Sequence, residues 1–470
     1  METQSATHVF ERLNNWIKES VTVKLTSIVF LILIMLVPQS WIRSLILERE
    51  ARAEAVVIEI ASKWSGEQTL TGPVLVIPFF KHEKVDKGKD GVEIRTSIDQ
   101  AFFLPEHLKI TGKVDPQILY RGIFEAAVYE SSLTMSADFL APDFQTLGVV
   151  PEDIDWKDAH LILGIRDLRG ISENPKLNMG DQRLSGEPSS SIGLTSEAPY
   201  TSTPESEYPD RARDPAGKSN ENGIVARLLW RTAGDFRRSV TINLNLKGST
   251  LLYFTPVGKI TEVTLAGSWA NPSFDGEFLP VSRSVTKAGF NAGWKVLHFN
   301  RPFSQQWTGT NQKISGSEFG VKLVIPVDQY QKSTRTAKYG VLVILLTFLS
   351  LFMVEIMKKV RIHPFQYILI GAALIIYYSL LLSFSEQLGY NLAYLVATTA
   401  TVTMITLYSV TFLGDRKAII LFGSLLISFY GFIFIIIQQQ DYSLLLGSLG
   451  LFLILGLIMY LSRNIKWYGQ

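Results

Sequence analysis

The chain has 470 residues, of which 47% are hydrophobic and 19% charged, and its mean hydropathy is +0.18. These values are too apolar for an ordinary soluble protein and too charged for a chain made only of membrane spans, so they indicate a protein that combines both kinds of region. A net charge of +2 without a basic stripe argues against nucleic acid as a partner, and the absence of cysteine excludes disulfides and thiol chemistry.

The first long apolar run extends from Leu25 to Ile42 and contains no charged residue. As a helix it would be about 27 Å long, close to the thickness of a hydrocarbon core. A cleaved signal peptide is the alternative, but the run is longer than a usual signal core and no small-residue cleavage site follows it. We therefore predict a cytoplasmic tail over residues 1–24, either an interfacial helix or a plain extension, and a transmembrane helix over residues 25–47.

The residue pattern from 48 to 338 is typical of a mainly-β, sandwich-like domain. It opens with an Ala-, Glu- and Arg-rich helical stretch that we expect the Gly72–Pro73 pair to end, and from Val74 short β-branched and aromatic runs alternate with turn residues. Residues 171–223 are rich in Ser, Pro, Glu, Asn and Gly, which predicts a flexible insertion without a core of its own. The pattern leaves open whether the β region forms one module or two.

Five further apolar runs, each long enough to cross a membrane, follow between 339 and 462 and predict a five-helix transmembrane domain before a cytoplasmic tail at 463–470. The fold class is therefore a six-helix membrane bundle with a large water-facing β domain. Lys and Arg resist translocation, so the side that holds the basic short loops should be cytoplasmic. With both termini inside, ten basic residues lie on that side: Arg12, Lys18, Lys24, Lys358, Lys359, Arg361, Arg416, Lys417, Arg463 and Lys466.

Several stretches along nearly the whole chain resemble the CreD family of bacterial inner-membrane proteins, often described as cell envelope integrity proteins. The most specific ones are LTGPVLVIPF at Leu70–Phe79, RGIFEAAVYES at Arg121–Ser131, GIRDLRGI at Gly164–Ile171 and NPSFDGEFLP at Asn271–Pro280. Residues 171–223 depart from the family pattern by being longer and more polar. The resemblance implies the inner membrane, an extracytoplasmic domain and a role in envelope maintenance, in some bacteria under a stress response. It implies no reaction.

Two stretches of the β region are candidate interaction sites. The first is a loop presenting Pro272, Ser273, Phe274, Asp275, Gly276, Phe278 and Pro280, which could contact a partner or simply close the fold as a hydrophobic turn. The second is the cluster of Arg166, Asp167 and Arg169, for which an Asp–Arg pair at a strand end is the structural alternative.

Three residues of the membrane half are further candidates. Glu355 would be costly within a bilayer, but its position predicts a local interfacial ion pair with Lys358 and Lys359. His363 precedes Pro364 at the expected start of a span, and we expect Glu386, at the outer end of that span, to be solvated.

No motif of a known catalytic class occurs in the chain, and its six histidines are scattered without ligand spacing. We therefore expect no enzyme activity, no cofactor and no metal. The leading hypothesis is a β domain that binds or scaffolds a partner beside the lipid bilayer, with envelope proteins, peptidoglycan or lipid headgroups as candidates. A small-solute or lipid transporter built on the helix bundle is the alternative, and the oligomeric state is left open.

Overall fold

The structure is a computed structural model, and the chain divides into two compact units. One unit comprises Ala55–Pro326, and the other contains the residues up to Glu54 and from Val327 onward. We call them the β unit and the helical unit. The structure describes residues 21–86, 92–194, 222–309, 312, 314–325, 328–358, 360–439 and 442–463.

Helix α1 spans Val21–Trp64 without interruption, so the expected boundary at residue 47 between a span and a separate domain falls inside a helix. The helix ends at Trp64, and strand β1 starts at Gln68 and runs through the Gly72–Pro73 pair. The expectation that this pair ends the helix was therefore wrong. Gly72 has φ of +125°, a conformation that glycine tolerates, and it lies where the register of β1 shifts against its neighbour.

Seventeen strands build two sheets in the described part of the β unit, which confirms its mainly-β character. Their bounds are β1 Gln68–Asp86, β2 Val92–Phe103, β3 His107–Arg121, β4 Phe124–Asp138, β5 His160–Ile165, β6 Lys176–Met179, β7 Gln182–Leu184, β8 Gly186–Ser189, β9 Gly223–Arg227, β10 Ser239–Ser249, β11 Leu251–Thr255, β12 Ile260–Gly267, β13 Pro272–Gly276, β14 Ser282–Thr286, β15 Gly289–Leu297, β16 Gln306–Thr308 and β17 Phe319–Leu323.

Both sheets combine strands from the two sides of the expected insertion. The first has the order β13-β17-β11-β1-β5-β9-β8, with β2 pairing β1 and β16, and the second has the order β14-β15-β12-β3-β4-β10-β6-β7. In β3 and β10 buried and exposed residues alternate, because successive side chains of a strand point to opposite faces. The buried faces contribute to one hydrophobic cluster with members from both sheets. The β region is therefore one module.

The first part of the expected flexible insertion is folded, which corrects the boundaries 171–223. Strand β6 pairs with β10, β7 pairs with β6, and β8 pairs with β9. Leu177, Met179, Leu184, Ile192 and Leu194 are all buried in the common core. Polar residues separate these apolar ones, so the mean hydropathy of the stretch is low. Each apolar side chain nevertheless packs into a core to which other parts of the chain contribute. Residues 195–221 lie outside the described residues.

The helical unit contains α1 up to Glu54 and six later helices: α2 Asp328–Lys338, α3 Gly340–Lys358, α4 Pro364–Leu388, α5 Tyr390–Leu413, α6 Arg416–Gln438 and α7 Ser443–Ser462. Helix α2 had been assigned to the β domain by its position before 339. It belongs to the helical unit instead, where Thr336 and Tyr390 share a hydrogen bond of 2.6 Å and Tyr330 donates one to Glu386.

Among the described residues, five helices are long and apolar enough to cross a membrane: α1, α3, α4, α5 and α6. The sixth expected span coincides with α7, a helix of 20 residues that is not among those five. The five apolar helices are thus established, whereas the count of six spans and the sandwich form of the β unit stay predictions. The tails at 1–24 and 463–470, which we expect on the cytoplasmic side, lie almost entirely outside the described residues.

Candidate functional site

The Asp167 cluster lies where α1 gives way to strand β1. Arg169 donates from Nε and Nη2 to both carboxylate oxygens of Asp167, at 2.9 and 2.6 Å, and its Nη1 donates to the carbonyl of Ser62 at 2.6 Å. The backbone amide of Gly66 donates to Asp167 at 2.8 Å. Burial opposes ionisation of Asp167, but the hydrogen bonds from Arg169 and Gly66 outweigh it and lower the pKa of the carboxyl. Arg169 and Asp167 thus fix the end of the helix.

Arg166, the third member, forms an ion pair of 3.2 Å with Glu67, and its carbonyl accepts a hydrogen bond from Asn222 at 3.4 Å. The sequence had suggested either an exposed recognition cluster or a structural Asp–Arg pair. The contacts of Asp167 are those of the structural pair, and Arg166 and Arg169 remain at the surface beside it.

A cavity of about 720 Å³, which we call the β-unit groove, lies against this cluster. Its apolar wall comes from the last turns of α1 and from Leu168, and its polar rim carries the two ion pairs Arg166–Glu67 and Arg169–Asp167. Ser249 also lines the groove, and its buried hydroxyl has no hydrogen-bond partner among the described residues. The groove combines apolar surface with a rim whose two positive and two negative charges balance.

The stretch Asn271–Pro280 is not a turn between strands. Its residues 272–276 form β13, the edge strand that pairs with β17. The Phe274 ring packs edge-on against Phe290 and Trp294 at 5.9 and 5.7 Å, and Phe278 packs against Phe319. Tyr253 donates to Asp275 at 2.8 Å, and this hydrogen bond lowers the pKa of the Asp275 carboxyl.

The other members of this candidate loop divide by exposure. Pro272, Ser273 and Pro280 are half-buried, and Gly276 is exposed with φ of +101°. The two aromatic rings thus serve packing, whereas Asp275 and Gly276 are exposed.

Glu355 departs from its expected partners. Its side chain is only 5% exposed and accepts hydrogen bonds from Lys24 Nζ at 2.8 Å, from Tyr367 Oη at 3.2 Å and from the Ile362 amide at 3.3 Å. Lys358 instead pairs with Asp415 at 2.6 Å. The predicted pair with Lys358 was therefore wrong, because α3 turns Glu355 inward, toward α1 and the start of α4, and Lys359 lies outside the described residues.

The two remaining membrane candidates have structural partners. His363 caps α4: its Nδ1 accepts a hydrogen bond from the Phe365 amide at 3.2 Å, and its own amide donates to Gln366 at 2.9 Å. Glu386 was expected to be solvated, but it is half-buried and accepts the hydroxyl of Tyr330 at 3.1 Å.

Sequence reasoning missed a group of buried tyrosines in the helical unit. The Tyr377 ring lies 4.7 Å from that of Tyr430, 4.9 Å from that of Tyr378 and 6.0 Å from that of Tyr394, and Tyr394 donates to the Tyr430 carbonyl at 2.6 Å. Tyr390 is buried beside Tyr394. A tyrosine near the end of a span can lie either at the membrane interface or inside a helix bundle, so only the contacts distinguish the two.

In the part of the chain that the structure describes, no group of three or more His, Cys, Asp or Glu residues could hold a metal ion. Apolar helices of membrane-spanning length together with one large mainly-β unit define the class, an α-helical membrane protein with a folded β unit. The sequence profile described as "Inner membrane protein CreD" matches residues 20–468.

Inner membrane protein CreD of Escherichia coli (strain K12) is 30% identical to the chain over 452 residues, which cover 95% of this chain and 93% of that protein. The chain therefore belongs to the CreD family of inner membrane proteins.

Proposed function

We propose that this protein supports cell envelope integrity as a binding or scaffolding protein of the inner membrane. Its β unit lies on the periplasmic side, and the β-unit groove holds a segment of another envelope protein. The membership in an inner membrane protein family supports the location. The ten basic residues that one orientation gathers on the cytoplasmic side support the topology.

The β-unit groove is the observation that carries this proposal. A rim with balanced charge gives no preference for a phosphate-rich or strongly charged ligand. Among the residues that the structure describes, no aromatic side chain lines the groove, although sugar rings are commonly bound by stacking on such faces. An apolar wall beside backbone and side-chain hydrogen-bonding groups instead suits an apolar side chain on a polypeptide segment.

The acidic groups of the groove favour binding over catalysis. Asp167 is bonded through both oxygens and its pKa is lowered, so it stays ionised near neutral pH and cannot act as a general acid there. Glu67 is paired with Arg166. We propose a role without chemistry on the bound partner.

A matched pair of substitutions tests this proposal. Ile58 lines the groove and is 56% exposed, whereas Val285 on the edge strand β14 is 47% exposed and lies outside the groove. We expect Ile58→Glu to abolish rescue of the envelope-stress phenotype of cells lacking the protein, and Val285→Glu to retain it, with thermal midpoints near that of the wild type. A photo-crosslinking residue at 58, but not at 285, should capture one defined envelope protein. Full rescue by Ile58→Glu would refute the groove as the site.

One observation favours the alternative, a small-solute or lipid transporter. Charged groups inside membrane spans commonly mark transport paths, and Glu355 and Lys24 both lie on helices of membrane-spanning length. The transporter would replace the binding protein if Glu355→Gln kept the fold but lost rescue while Ile58→Glu kept it.

A further inference from the structure

A second cavity of the β unit, of about 450 Å³, lies on the exposed face of the eight-stranded sheet. We call it the Lys113 cavity. Residues that face each other on neighbouring strands project from the same side of a sheet, and the strands lie about 4.8 Å apart. Four lining residues form such a row across β14, β15, β12 and β3: Ser284 faces Asn291, Asn291 faces Ala266, and Ala266 faces Lys113. Polar side chains therefore stand at both ends of the row, with the small Ala266 between them.

The polar groups of this row can bind a ligand. The Lys113 ammonium group forms no ion pair with a described carboxylate, and the side chains of Ser284 and Asn291 form no hydrogen bond with another described residue. All three residues are exposed. The hydroxyl of Ser268, by contrast, donates to Asp115 at 3.1 Å, and Asp115 itself does not line the cavity. Among the residues that the structure describes, the lining therefore holds one cation beside neutral donors and acceptors.

The other lining residues supply apolar surface and a fixed end to the cavity. Ala266, Ala288 and the buried Phe290 are apolar. The hydroxyl of Thr286 donates to the carbonyl of Gly289 at 3.1 Å and accepts from the amide of Ala288 at 3.3 Å. These two hydrogen bonds fix the turn between β14 and β15, so this end of the cavity is formed before a ligand arrives.

The chemistry of the lining indicates the class of ligand. A carboxylate matches the positive charge of Lys113 through a charge-assisted hydrogen bond. The hydroxyl of Ser284 and the carboxamide of Asn291 both donate and accept, as the hydroxyl groups of a sugar do. The C–H groups of a sugar ring suit the apolar Ala266 and Ala288. An acidic saccharide carries all three features on one scaffold. A simple anion would use Lys113 alone, and an acidic peptide would offer few hydroxyl groups to Ser284 and Asn291.

We propose that the Lys113 cavity binds an acidic saccharide, with the Lys113 ammonium group on the carboxylate, Ser284 and Asn291 on the ring hydroxyls, and Ala266 beneath the ring. The cavity shares no described lining residue with the β-unit groove. The two sites can therefore be tested separately, and this one does not depend on what the groove binds.

The test is isothermal titration calorimetry of the full-length protein in a non-ionic detergent that has no sugar headgroup. The titrants are the hyaluronan tetrasaccharide, which is acidic, the neutral tetrasaccharide of N-acetylglucosamine, tetraglutamate and inorganic phosphate. Lys113→Gln removes the charge, and Ala266→Phe fills the space in the row.

Lys109→Gln and Thr264→Phe are the matched controls. Lys109 and Thr264 are exposed on the same strands and the same face as Lys113 and Ala266, but they do not line the cavity. Thermal midpoints identify any variant that fails to fold, and Lys113→Arg provides a conservative check.

We expect the acidic tetrasaccharide to bind at least about tenfold more tightly than the neutral one, and at least about tenfold more weakly to Lys113→Gln and to Ala266→Phe. Both controls should bind like the wild type, and Lys113→Arg should retain part of the affinity. An equal loss in Lys109→Gln would show general attraction of anions and overturn the proposal. No binding of the acidic tetrasaccharide, or undiminished binding in folded Lys113→Gln and Ala266→Phe, would overturn it too. Equal affinity for the neutral tetrasaccharide, tighter binding of tetraglutamate or displacement by millimolar phosphate would replace the acidic saccharide by a neutral sugar, an acidic peptide or a simple anion.

Discussion

At the scale of single residues, the contact between Lys24 and Glu355 joins positions 331 apart in the chain. Lys24 is 34% exposed and Glu355 only 5%, so the two charges differ in how well they tolerate the loss of their partner. A buried carboxylate without its cation keeps the cost of desolvation, whereas the ammonium group reaches a more polar surrounding. Loss of Lys24 should therefore destabilise the helical unit more than loss of the Glu355 charge.

We predict that Lys24→Met destabilises the protein more than Glu355→Gln, by up to about 3–5 kcal/mol for loss of the partner of a buried charge. The double variant Lys24→Met/Glu355→Gln should be more stable than the sum of the two single effects predicts. Denaturant titration of the purified protein in detergent, carried out for all members of the cycle, measures this coupling. Additive effects would mean that the two side chains do not act as a pair.

The carboxyl of Asp167 gives a residue-scale prediction about pH. Because its pKa is lowered in the folded state, Asp167 contributes stability above its unfolded pKa, and this contribution is lost as the pH falls through the lower folded value. The unfolded pKa is about 3.9. We expect Asp167→Asn to reduce the thermal midpoint at pH 7, and the difference from the wild type to shrink as the pH falls below about 4. A difference that is the same at both pH values would contradict the role of ionised Asp167.

At the scale of elements, strand β6 shows why composition led to a wrong prediction of flexibility for part of the chain. Leu177 and Met179 point into the core while Lys176 faces solvent, which is the usual alternation of a half-buried strand. Two apolar residues in a four-residue strand are too few to stand out among Ser, Pro and Asn neighbours. The long apolar helices were easier to predict, because the apolar character of each extends over about 20 residues.

We predict that Leu177→Ala lowers the free energy of unfolding of the β unit by about 2–5 kcal/mol, because it leaves a cavity in a core shared by both sheets. The neighbouring Lys176→Ala should change it by less than about 0.5 kcal/mol. Limited proteolysis and thermal unfolding of the two variants provide the comparison. Equal stability would indicate that β6 is as dispensable as a flexible insertion.

At the scale of the whole molecule, the sequence predicted the kinds of structure better than their contacts. Hydropathy identified the helices, and the short β-branched and aromatic runs identified the mainly-β unit, because burial of a whole element depends on many residues at once. The partners of Glu355 and the burial of Tyr390 depend instead on which helices pack together, which no local pattern reports. The Asp167–Arg169 pair could be foreseen because the two residues lie only two positions apart in the chain.

Topology is the whole-molecule prediction, and it rests on the distribution of Lys and Arg. We expect reporter enzymes fused after Gln470 or between Arg416 and Lys417 to be active in the cytoplasm. Reporters inserted near Gly180 or Gln439 should be active in the periplasm. A periplasmic report after Gln470 would exclude six spans with the N-terminus inside.

The parallel pairing of β1 with β11 and of β3 with β12 also bears on biogenesis. Strand β1 starts at Gln68, but its parallel neighbour starts at Leu251, and β17, which completes that side of the sheet, ends only at Leu323. At synthesis rates of about 5–20 residues per second, the early strands must wait for roughly 10 seconds or more with apolar faces uncovered. Such non-local pairing is slow to form even afterwards. The nascent β unit is therefore a natural client for chaperones and proteases, and its folding in cells should depend on them more strongly than that of the helical unit.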